Sequence, residues 1–178
     1  MTDLPEPPPV DASAFRTLMS RWATGVSVVT AHAAGHDAGL TVNALLSVSL
    51  APPALLVSLS NDVDTLPLIE RAGRFGVTFL SAEQRSLSER FAQTLPSDEK
   101  FRGVAVHRGP GGSALLDGGL AALECRLLSR TPMFDHTLVV GEVVHTEVGI
   151  ERTPLLFYRS GYAESDGSDR LRLAPRRP

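Results

Sequence analysis

Short runs of β-branched and apolar residues, separated by turn-forming residues, recur along most of the chain. The first two runs flank a glycine-containing turn at 35–39 and predict a β-hairpin. Many regularly spaced strand signals with few helical ones favour an antiparallel barrel over a doubly wound sheet, so we expect a mainly β protein. The later predicted strands cover 54–60, 74–80, 120–131, 136–148 and 154–162.

Three short helices are predicted between or before these strands. Asp11 or Ser13 can cap the first helix, whose apolar residues have the three-and-four spacing of a buried stripe. A second helix begins near Thr65, and a third follows Ser81, which forms a capping-box pattern with Gln84. The apolar stripe of the first helix consists of Phe15, Leu18, Met19 and Trp22.

The two longest predicted strands differ in how their side chains alternate. Around Cys125, apolar residues alternate with Glu124 and Arg126, which predicts one buried face and one solvated face, with Cys125 as a small core residue. The next strand is apolar on both faces between 137 and 144. Both faces of that strand must therefore be covered.

A polar stripe interrupts the otherwise apolar segment 39–60. If its first half is one strand, alternate side chains share a face and the polar groups line up. Burying them costs free energy unless each finds a partner, so the stripe indicates either a solvated face or a polar ligand along the strand. The residues alone leave both readings open. The stripe consists of Thr41, Asn43, Ser47 and Ser49.

Length, charge and cysteine usage narrow the classes of protein. A chain of 178 residues predicts one domain, which we place at 11–163 between a flexible proline-rich leader at 1–10 and a loose basic tail at 164–178. The net charge of −3 gives no electrostatic footprint for nucleic acid, and the apolar runs are too short to span a membrane. The lone Cys125 excludes an intramolecular disulfide and fits a reducing compartment, so we expect a cytoplasmic protein.

Several common catalytic and binding motifs are absent from the sequence. There is no phosphate-binding loop ending in Gly-Lys-Ser/Thr, no HExxH and no GxSxG. The glycine-rich segment 108–119 is not followed by a helical pattern and is predicted to be an ordinary loop. The histidines lack the spacing of metal ligands, so we expect no metal site.

Six sequence blocks, in a fixed order, carry a family resemblance. They are ATGVSVVTA (23–31), GLTVNALLSVSLAPPALLVSLS (39–60), RFGVTFLSAEQRSLSERFA (74–92), DEKF (98–101), LECRLLSRTPMFDHTLVVGEVV (123–144) and PLLFYRSGY (154–162). Together they resemble the small flavin reductases of two-component flavin-dependent monooxygenases. The resemblance implies a split β-barrel of the FMN-binding, Greek-key antiparallel type with a few short helices, usually assembled as a homodimer with flavin sites near the subunit interface.

The resemblance also implies an activity, that of an NAD(P)H:flavin oxidoreductase. Such an enzyme takes a hydride from NADH or NADPH, reduces FAD or FMN, and supplies the reduced flavin to a separate monooxygenase. This chemistry needs no strong general base, which agrees with the lack of an obvious catalytic cluster. Two alternatives stay open: a split-barrel oxidase or oxygenase that holds its flavin tightly, and a flavin-binding module without catalysis.

Individual flavin-site residues follow from the resemblance. The segment from Thr41 to Asn43 is expected to meet the edge of the isoalloxazine ring, and 47–49 to continue toward the ribityl chain and phosphate. Thr65 at a helix start and Lys100 are expected at the phosphate, although a plain helix cap and a solvated lysine are the alternatives. The full set implied for the flavin is Thr41, Val42, Asn43, Ala44, Ser47, Val48, Ser49, Asn61, Thr65, Lys100, Phe101 and Tyr162.

One catalytic residue is implied in the same way. The family usually has Gly-Asp-His before a long strand, and this chain has Phe134, Asp135 and His136 there. The resemblance places His136 beside the flavin where nicotinamide docks, with a role in orienting the carboxamide or in protonating reduced flavin. The alternative is a structural loop histidine. Phe134 departs from the family pattern and affects the geometry of this loop.

Overall fold

Thirteen strands and four short α-helices make up the part of the chain that the structure, a computed structural model, describes: residues 6, 8–150, 152–165 and 171–173. The helices are α1 (Ala12–Met19), α2 (Thr65–Ala72), α3 (Arg85–Phe91) and α4 (Ser97–Phe101), with a 3-10 turn at Ala82–Gln84. The strands are β1 (Thr24–Gly25), β2 (Ser27–Ala33), β3 (His36–Val42), β4 (Leu45–Leu50), β5 (Pro53–Ser60), β6 (Arg74–Phe79), β7 (Val106–Arg108), β8 (Ala114–Leu116), β9 (Ala121–Met133), β10 (His136–Val148), β11 (Leu155–Tyr158), β12 (Gly161–Ser165) and β13 (Leu171–Leu173).

The main sheet has seven antiparallel strands in the order β3-β2-β6-β9-β10-β5-β4. Its two end strands, β3 and β4, are consecutive in sequence and are separated only by Asn43 and Ala44. Three Cα steps from Val42 to Leu45 span at most about 11 Å, so the two ends of the sheet must lie close together and the sheet is strongly curled. At this corner the Ser58 N–H donates to the Ala44 carbonyl at 3.0 Å. The mainly β, antiparallel prediction is confirmed, and no ladder joins β3 to β4 among the described strands.

The hydrophobic core lies inside the curled sheet and under α2. Val57, Leu59 and Phe75 are fully buried there together with Ile69 of α2. The helix begins at Thr65 and ends at Gly73, whose φ of +66° is the left-handed conformation that glycine adopts without strain. The predicted second helix is therefore confirmed, and it closes one side of the core.

A second cluster packs α3 and α4 against β3. The rings of Phe91 and Phe101 meet edge to face with centroids 5.0 Å apart. A Cβ added to Gly39 would lie 3.0 Å from the Phe91 ring and 3.2 Å from the Phe101 ring, so glycine is what allows this close approach. The predicted hairpin turn at 35–39 is shorter than expected, since Ala34 and Gly35 form it and Gly39 lies within β3.

The predicted buried stripe of the first helix is wrong. Asp11 caps α1 as expected, because its carboxylate accepts from the N–H groups of Ser13 and Ala14, both at 2.8 Å. However, no residue of α1 is buried, and Trp22 just beyond it is 70% exposed. On β4, Leu50 is 88% exposed. The amphipathic spacing is real, but none of the residues that the structure describes buries the apolar face.

The predicted solvated position of Glu124 is also wrong. Its carboxylate is fully buried and accepts from the backbone N–H of Gly111 at 2.6 Å and of Ser113 at 2.9 Å. The glycine-rich segment is a loop at 109–113, whose N–H groups bind this internal carboxylate. The prediction of an ordinary loop over 108–119 is wrong for Ala114–Leu116, which form β8 and pair with β7. The neighbouring Cys125 is a core residue as predicted, and burial raises the pKa of its thiol to about 12.

The ends of the chain bear only partly on the predicted domain limits. Residues 171–173 form β13, which pairs with β12, and the rest of the tail beyond 165 lies outside the described residues. Most of the leader at 1–10 also lies outside them, so the boundaries 11–163 stay a prediction. None of the described helices combines the length and the apolar composition needed to cross a membrane.

Candidate functional site

The corner between β3 and β4 divides the predicted polar stripe. Thr41 lies on β3 and Ser47 and Ser49 on β4, at opposite ends of the sheet order. A register shift between Ser47 and Ser49 also breaks the alternation within β4. The expectation that these polar side chains share one strand face is therefore wrong, because the chain turns at Asn43.

A cleft of about 200 Å³ lies between β3, the start of α2 and the segment that joins α3 to α4. It brings together three of the expected residues, Thr41, Thr65 and Lys100, from distant parts of the chain. The Thr41 hydroxyl donates to the Ser88 carbonyl at 2.7 Å, and Thr65 is buried at the first position of α2. The cleft thus combines hydroxyls, a lysine and a helix start.

Lys100 is the cationic side chain in the lining of this cleft, which also contains the carboxylates of Asp62 and Asp64. Its Nζ donates to the carbonyls of Gly39 at 3.3 Å and Phe91 at 3.4 Å, which leaves one of its three N–H groups for a ligand. Partial burial lowers the pKa of Lys100, and the nearby Asp64 carboxylate opposes that shift. The partly desolvated ammonium suits an anionic group such as a phosphate. The start of α2 adds little to it, because Pro67 has no N–H and the Leu66 N–H donates to the Val63 carbonyl at 3.3 Å.

A larger cavity of about 760 Å³ opens on the other side of the corner, with Asn43 and Ala44 in its lining. Its walls are mainly apolar and include Trp22 and Phe79. Thr24 also lines it, and the Thr24 hydroxyl is buried without a hydrogen-bond partner among the described residues. Apolar walls with a few polar groups fit a flat ring with polar edges, and an unpartnered buried hydroxyl calls for such a partner.

Other expected flavin residues lie outside these two cavities. Ser47, Val48 and Ser49 line neither, and the Ser49 hydroxyl accepts from the Ala51 N–H at 3.2 Å. The Val42 side chain is buried in the core, so only its backbone can meet a ligand. Phe101 packs beneath Gly39 rather than into the cleft.

Tyr162 does not line the cleft but is linked to it through Ser88. Its hydroxyl lies 2.8 Å from the Ser88 hydroxyl, and the Ser88 carbonyl accepts from Thr41. The Arg85 guanidinium lies 5.2 Å from the centroid of the Tyr162 ring. These contacts link Tyr162 to Thr41 through the buried Ser88, a connection that the sequence pattern did not indicate.

The side chain of Asn61 is used to hold the turn between β9 and β10. Its Nδ2 donates to the Phe134 carbonyl at 2.9 Å, and its Oδ1 accepts from the Thr137 hydroxyl at 2.8 Å. Its backbone N–H donates to the Asp135 carbonyl at 3.0 Å. Both ends of the amide are thus engaged with the turn that precedes His136.

His136 opens β10 and is accessible. It pairs with Ser60 of β5 and Met133 of β9, and its side chain is 45% exposed. Its Nδ1 lies 2.9 Å from the Asp135 carboxylate, and this contact lowers the pKa of Asp135. The pKa of Asp62 is lowered mainly by the Ser60 hydroxyl and also by the charge of His136. The histidine therefore lies beside two carboxylates, those of Asp135 and Asp62.

Phe134 occupies a conformation that suits glycine. Its φ is +58°, and it is the first of the two residues that connect β9 to β10. Left-handed backbone costs a residue with a Cβ about 1–2 kcal/mol. Its ring is 94% exposed. The family's usual small residue at this place is explained by the backbone, and the aromatic ring here is a departure that needs a reason.

Comparison with known proteins decides the family. The Flavin reductase like domain pattern matches residues 19–166. The chain belongs to this family. It is 38% identical over 149 residues to the reductase component of 4-hydroxyphenylacetate 3-monooxygenase from Thermus thermophilus, covering 84% of this chain and 93% of the relative.

Further members of the family agree in sequence and in fold. The chain is 38% identical over 158 residues to flavin reductase (NADH) from Kitasatospora aureofaciens, covering 86% of this chain and 82% of the relative. The solved structure of the Streptomyces globisporus NADH:FAD oxidoreductase SgcE6 superposes with a TM-score of 0.80 at 30% identity, covering 96% of this chain and all of that one. The family predicted from the six blocks is confirmed, and the names of the last two proteins give NADH together with flavin or FAD.

Proposed function

We propose that this protein is an NAD(P)H:flavin oxidoreductase that reduces FAD or FMN and supplies reduced flavin to a separate monooxygenase. The observation that carries the proposal is the convergence of Thr41, Thr65 and Lys100 on one cleft in a member of this family. The sequence relatives are named as reductase components or flavin reductases. The cytoplasmic location expected from the sequence stays a prediction.

The cleft binds the phosphate of the flavin, and the larger cavity binds its ring. Lys100 and the Thr65 hydroxyl bind the phosphate, where the cationic donor offsets its charge. The corner at Asn43 offers backbone and amide groups to the ring edge, and the Thr24 hydroxyl gains a partner. Tyr162 keeps Thr41 in place through Ser88.

The turn before β10 serves the nicotinamide donor. When both nucleotides are bound, a hydride passes with its electron pair from nicotinamide C4 to flavin N5, leaving oxidised nicotinamide and reduced flavin. The chain contributes orientation, since His136 is exposed and can hydrogen-bond the carboxamide. Asn61 holds the turn that carries His136.

The proposal includes a homodimer and a split β-barrel. The apolar residues of α1 and β4 are exposed, and Trp22 and Leu46 line the same cavity, so the uncovered surface is shared between these two elements. Val144, on the second apolar face of β10, is also exposed. A second copy would cover such surfaces, as in obligate dimers whose interfaces resemble a divided core. The two-residue link between β3 and β4 fits a barrel that is open along one seam.

Light scattering tests the dimer. We expect a mass of twice the 19.0 kDa chain at micromolar concentration. Replacing Trp22 and Leu46 together by Ser should release monomers, because it removes apolar area from the uncovered surface. A wild-type protein that is a stable monomer would contradict the dimer.

An NADH consumption assay with purified protein tests the activity. Catalytic oxidation of NADH that depends on added FAD or FMN, with reduced flavin accumulating without oxygen, is the expected result. Turnover by a yellow protein that never releases its flavin would instead identify an oxidase or oxygenase. Flavin binding without NADH consumption would identify a non-catalytic module. Comparing FAD with FMN, and NADH with NADPH, establishes the preferred pair.

A further inference from the structure

We infer that the exposed ring of Phe134 is a binding element for the hydride donor, packing on the nicotinamide ring that His136 orients. The inference rests on the proposed function and concerns a residue at which this chain departs from its family. The ligand class is a dihydronicotinamide, a nearly planar, electron-rich ring with a carboxamide.

Phe134 costs the free protein conformational energy. Phe134 has a φ of +58°, and its side chain is 94% exposed. The backbone is therefore strained by the presence of a Cβ, while the ring contributes almost no buried area to this chain. A residue that costs conformational energy and gives no packing in the free protein is favoured by what it contacts in a complex.

Hydrogen bonds hold the backbone of the turn that carries Phe134. The Phe134 carbonyl accepts from Asn61 Nδ2, and the following peptide carbonyl, that of Asp135, accepts from the Asn61 N–H. Thr137, on the far side of His136, donates to the same amide. The turn is thus fastened on both sides, so the backbone that carries the ring loses little conformational entropy on binding.

The residues that follow Phe134 at this turn are polar or charged. His136 is two residues away, and the Asp135 side chain is 91% exposed at the same turn. The Asp62 carboxylate lies near His136 and interacts with its charge. Cores of protein interfaces are depleted of charged groups, so a single ring among exposed charges fits a small polar ligand better than a protein partner.

The side chains of Phe134 and His136 suit the two parts of a nicotinamide group, its ring and its carboxamide. An aromatic side chain can pack with its face against the nearly planar dihydronicotinamide ring, while an adjacent imidazole can hydrogen-bond the carboxamide substituent. Phe134 and His136 supply these two groups from one turn. Neither atom exchange nor electron transfer involves Phe134, so its effect falls mainly on donor affinity.

Anaerobic stopped-flow reduction of saturating FAD or FMN, with varied NADH, is the test. We expect Phe134→Gly to raise the apparent dissociation constant of NADH about 2- to 12-fold, with a smaller change in the limiting rate. Its melting temperature should not fall, because glycine relieves the left-handed backbone. Phe134→Tyr keeps the ring and should bind NADH like the wild type.

Two controls isolate the ring. Ala34 also has a positive φ, +53°, in the turn between β2 and β3, so Ala34→Gly relieves the same kind of strain and should leave NADH affinity unchanged. Reduced nicotinamide mononucleotide, which lacks adenosine, should show the same loss as NADH with Phe134→Gly. A loss seen with NADH alone would overturn the nicotinamide contact in favour of an adenine contact.

The remaining outcomes separate this inference from the proposed function. A wild type that does not oxidise NADH with either flavin contradicts the function itself. An active wild type whose Phe134→Gly variant binds NADH equally well overturns the inference alone. A Phe134→Gly variant that becomes monomeric in light scattering also overturns it, since the ring would then belong to an interface between copies.

Discussion

Replacing Asn61 by Leu should slow hydride transfer and leave flavin affinity almost unchanged. The substitution keeps the size of the side chain but removes both amide hydrogen bonds, to the Phe134 carbonyl at 2.9 Å and from the Thr137 hydroxyl at 2.8 Å. The backbone hydrogen bond to Asp135 remains. The turn therefore loses two of its three fastenings while the rest of β5 and β10 stays paired.

The size of the effect follows from those two contacts. A hydrogen bond contributes about 0.5–1.5 kcal/mol net, so the turn loses about 1–3 kcal/mol of local stability. That is about a 5- to 150-fold change in the ratio of closed to open turn. A displacement of His136 by about 1 Å can by itself slow a bimolecular reaction on the order of 100-fold. We expect the rate of flavin reduction at saturating flavin to fall about 5- to 150-fold.

Anaerobic stopped-flow measures the rate, and fluorescence titration measures flavin affinity. Asn43→Leu is the matched control, since Asn43 lines the large cavity and not the turn. It should weaken flavin binding by about 1–3 kcal/mol, or about 5- to 150-fold, and leave the transfer rate at saturating flavin nearly intact. If Asn61→Leu instead lost flavin affinity and kept its rate, Asn61 would contact flavin. Its hydrogen bonds to the turn would then have no role in catalysis.

Three further results are expected. His136→Ala should bind flavin within a few-fold of wild type but reduce it on the order of 100-fold more slowly in stopped-flow, and a full rate would make it a structural residue. Lys100→Met should weaken binding of FMN about tenfold and of riboflavin, which has no phosphate, far less in fluorescence titration; equal losses would remove Lys100 from the phosphate. The pKa of His107 is raised, mainly by its hydrogen bond to Asp117 with help from Glu147 and against partial burial. The stability from this contact is full below the ordinary histidine pKa and is lost as pH rises through the raised one, so His107→Gln should lower the melting temperature more at pH 6 than at pH 8.5.

Features fixed by neighbouring residues could be predicted from the sequence. The helix from Thr65 to Ala72 and its glycine stop depend on local capping and spacing. The Gln84 side chain accepts from the Ser81 N–H at 3.1 Å, as the capping pattern indicated. Strands β5 and β10 also lie where alternation and turn residues placed them. In each case the interacting groups are close in sequence.

Features that depend on distant partners could not be predicted. The corner at Asn43 and Ala44 carries no glycine or proline, and it is required only because the sheet curls back on itself. The buried Glu124 carboxylate accepts hydrogen bonds from the backbone N–H groups of Gly111 and Ser113, and a pattern of side chains does not reveal such donors. The apolar spacing of α1 predicts a covered face but not whether the cover belongs to the same chain.

The two partners of β10 differ greatly in sequence separation, which bears on how the chain folds. β9 and β10 are joined by two residues, and hairpins of this kind close in about 1–10 μs. By contrast, Ser60 on β5 pairs with His136, 76 residues later. Such non-local pairings raise the contact order and slow folding. We therefore expect the β9–β10 hairpin, with its strained turn at Phe134, to form early, and the docking of β5 onto it to limit the rate. On this order of events Phe134→Gly would speed hairpin closure, while substitutions in β5 would govern the overall folding time.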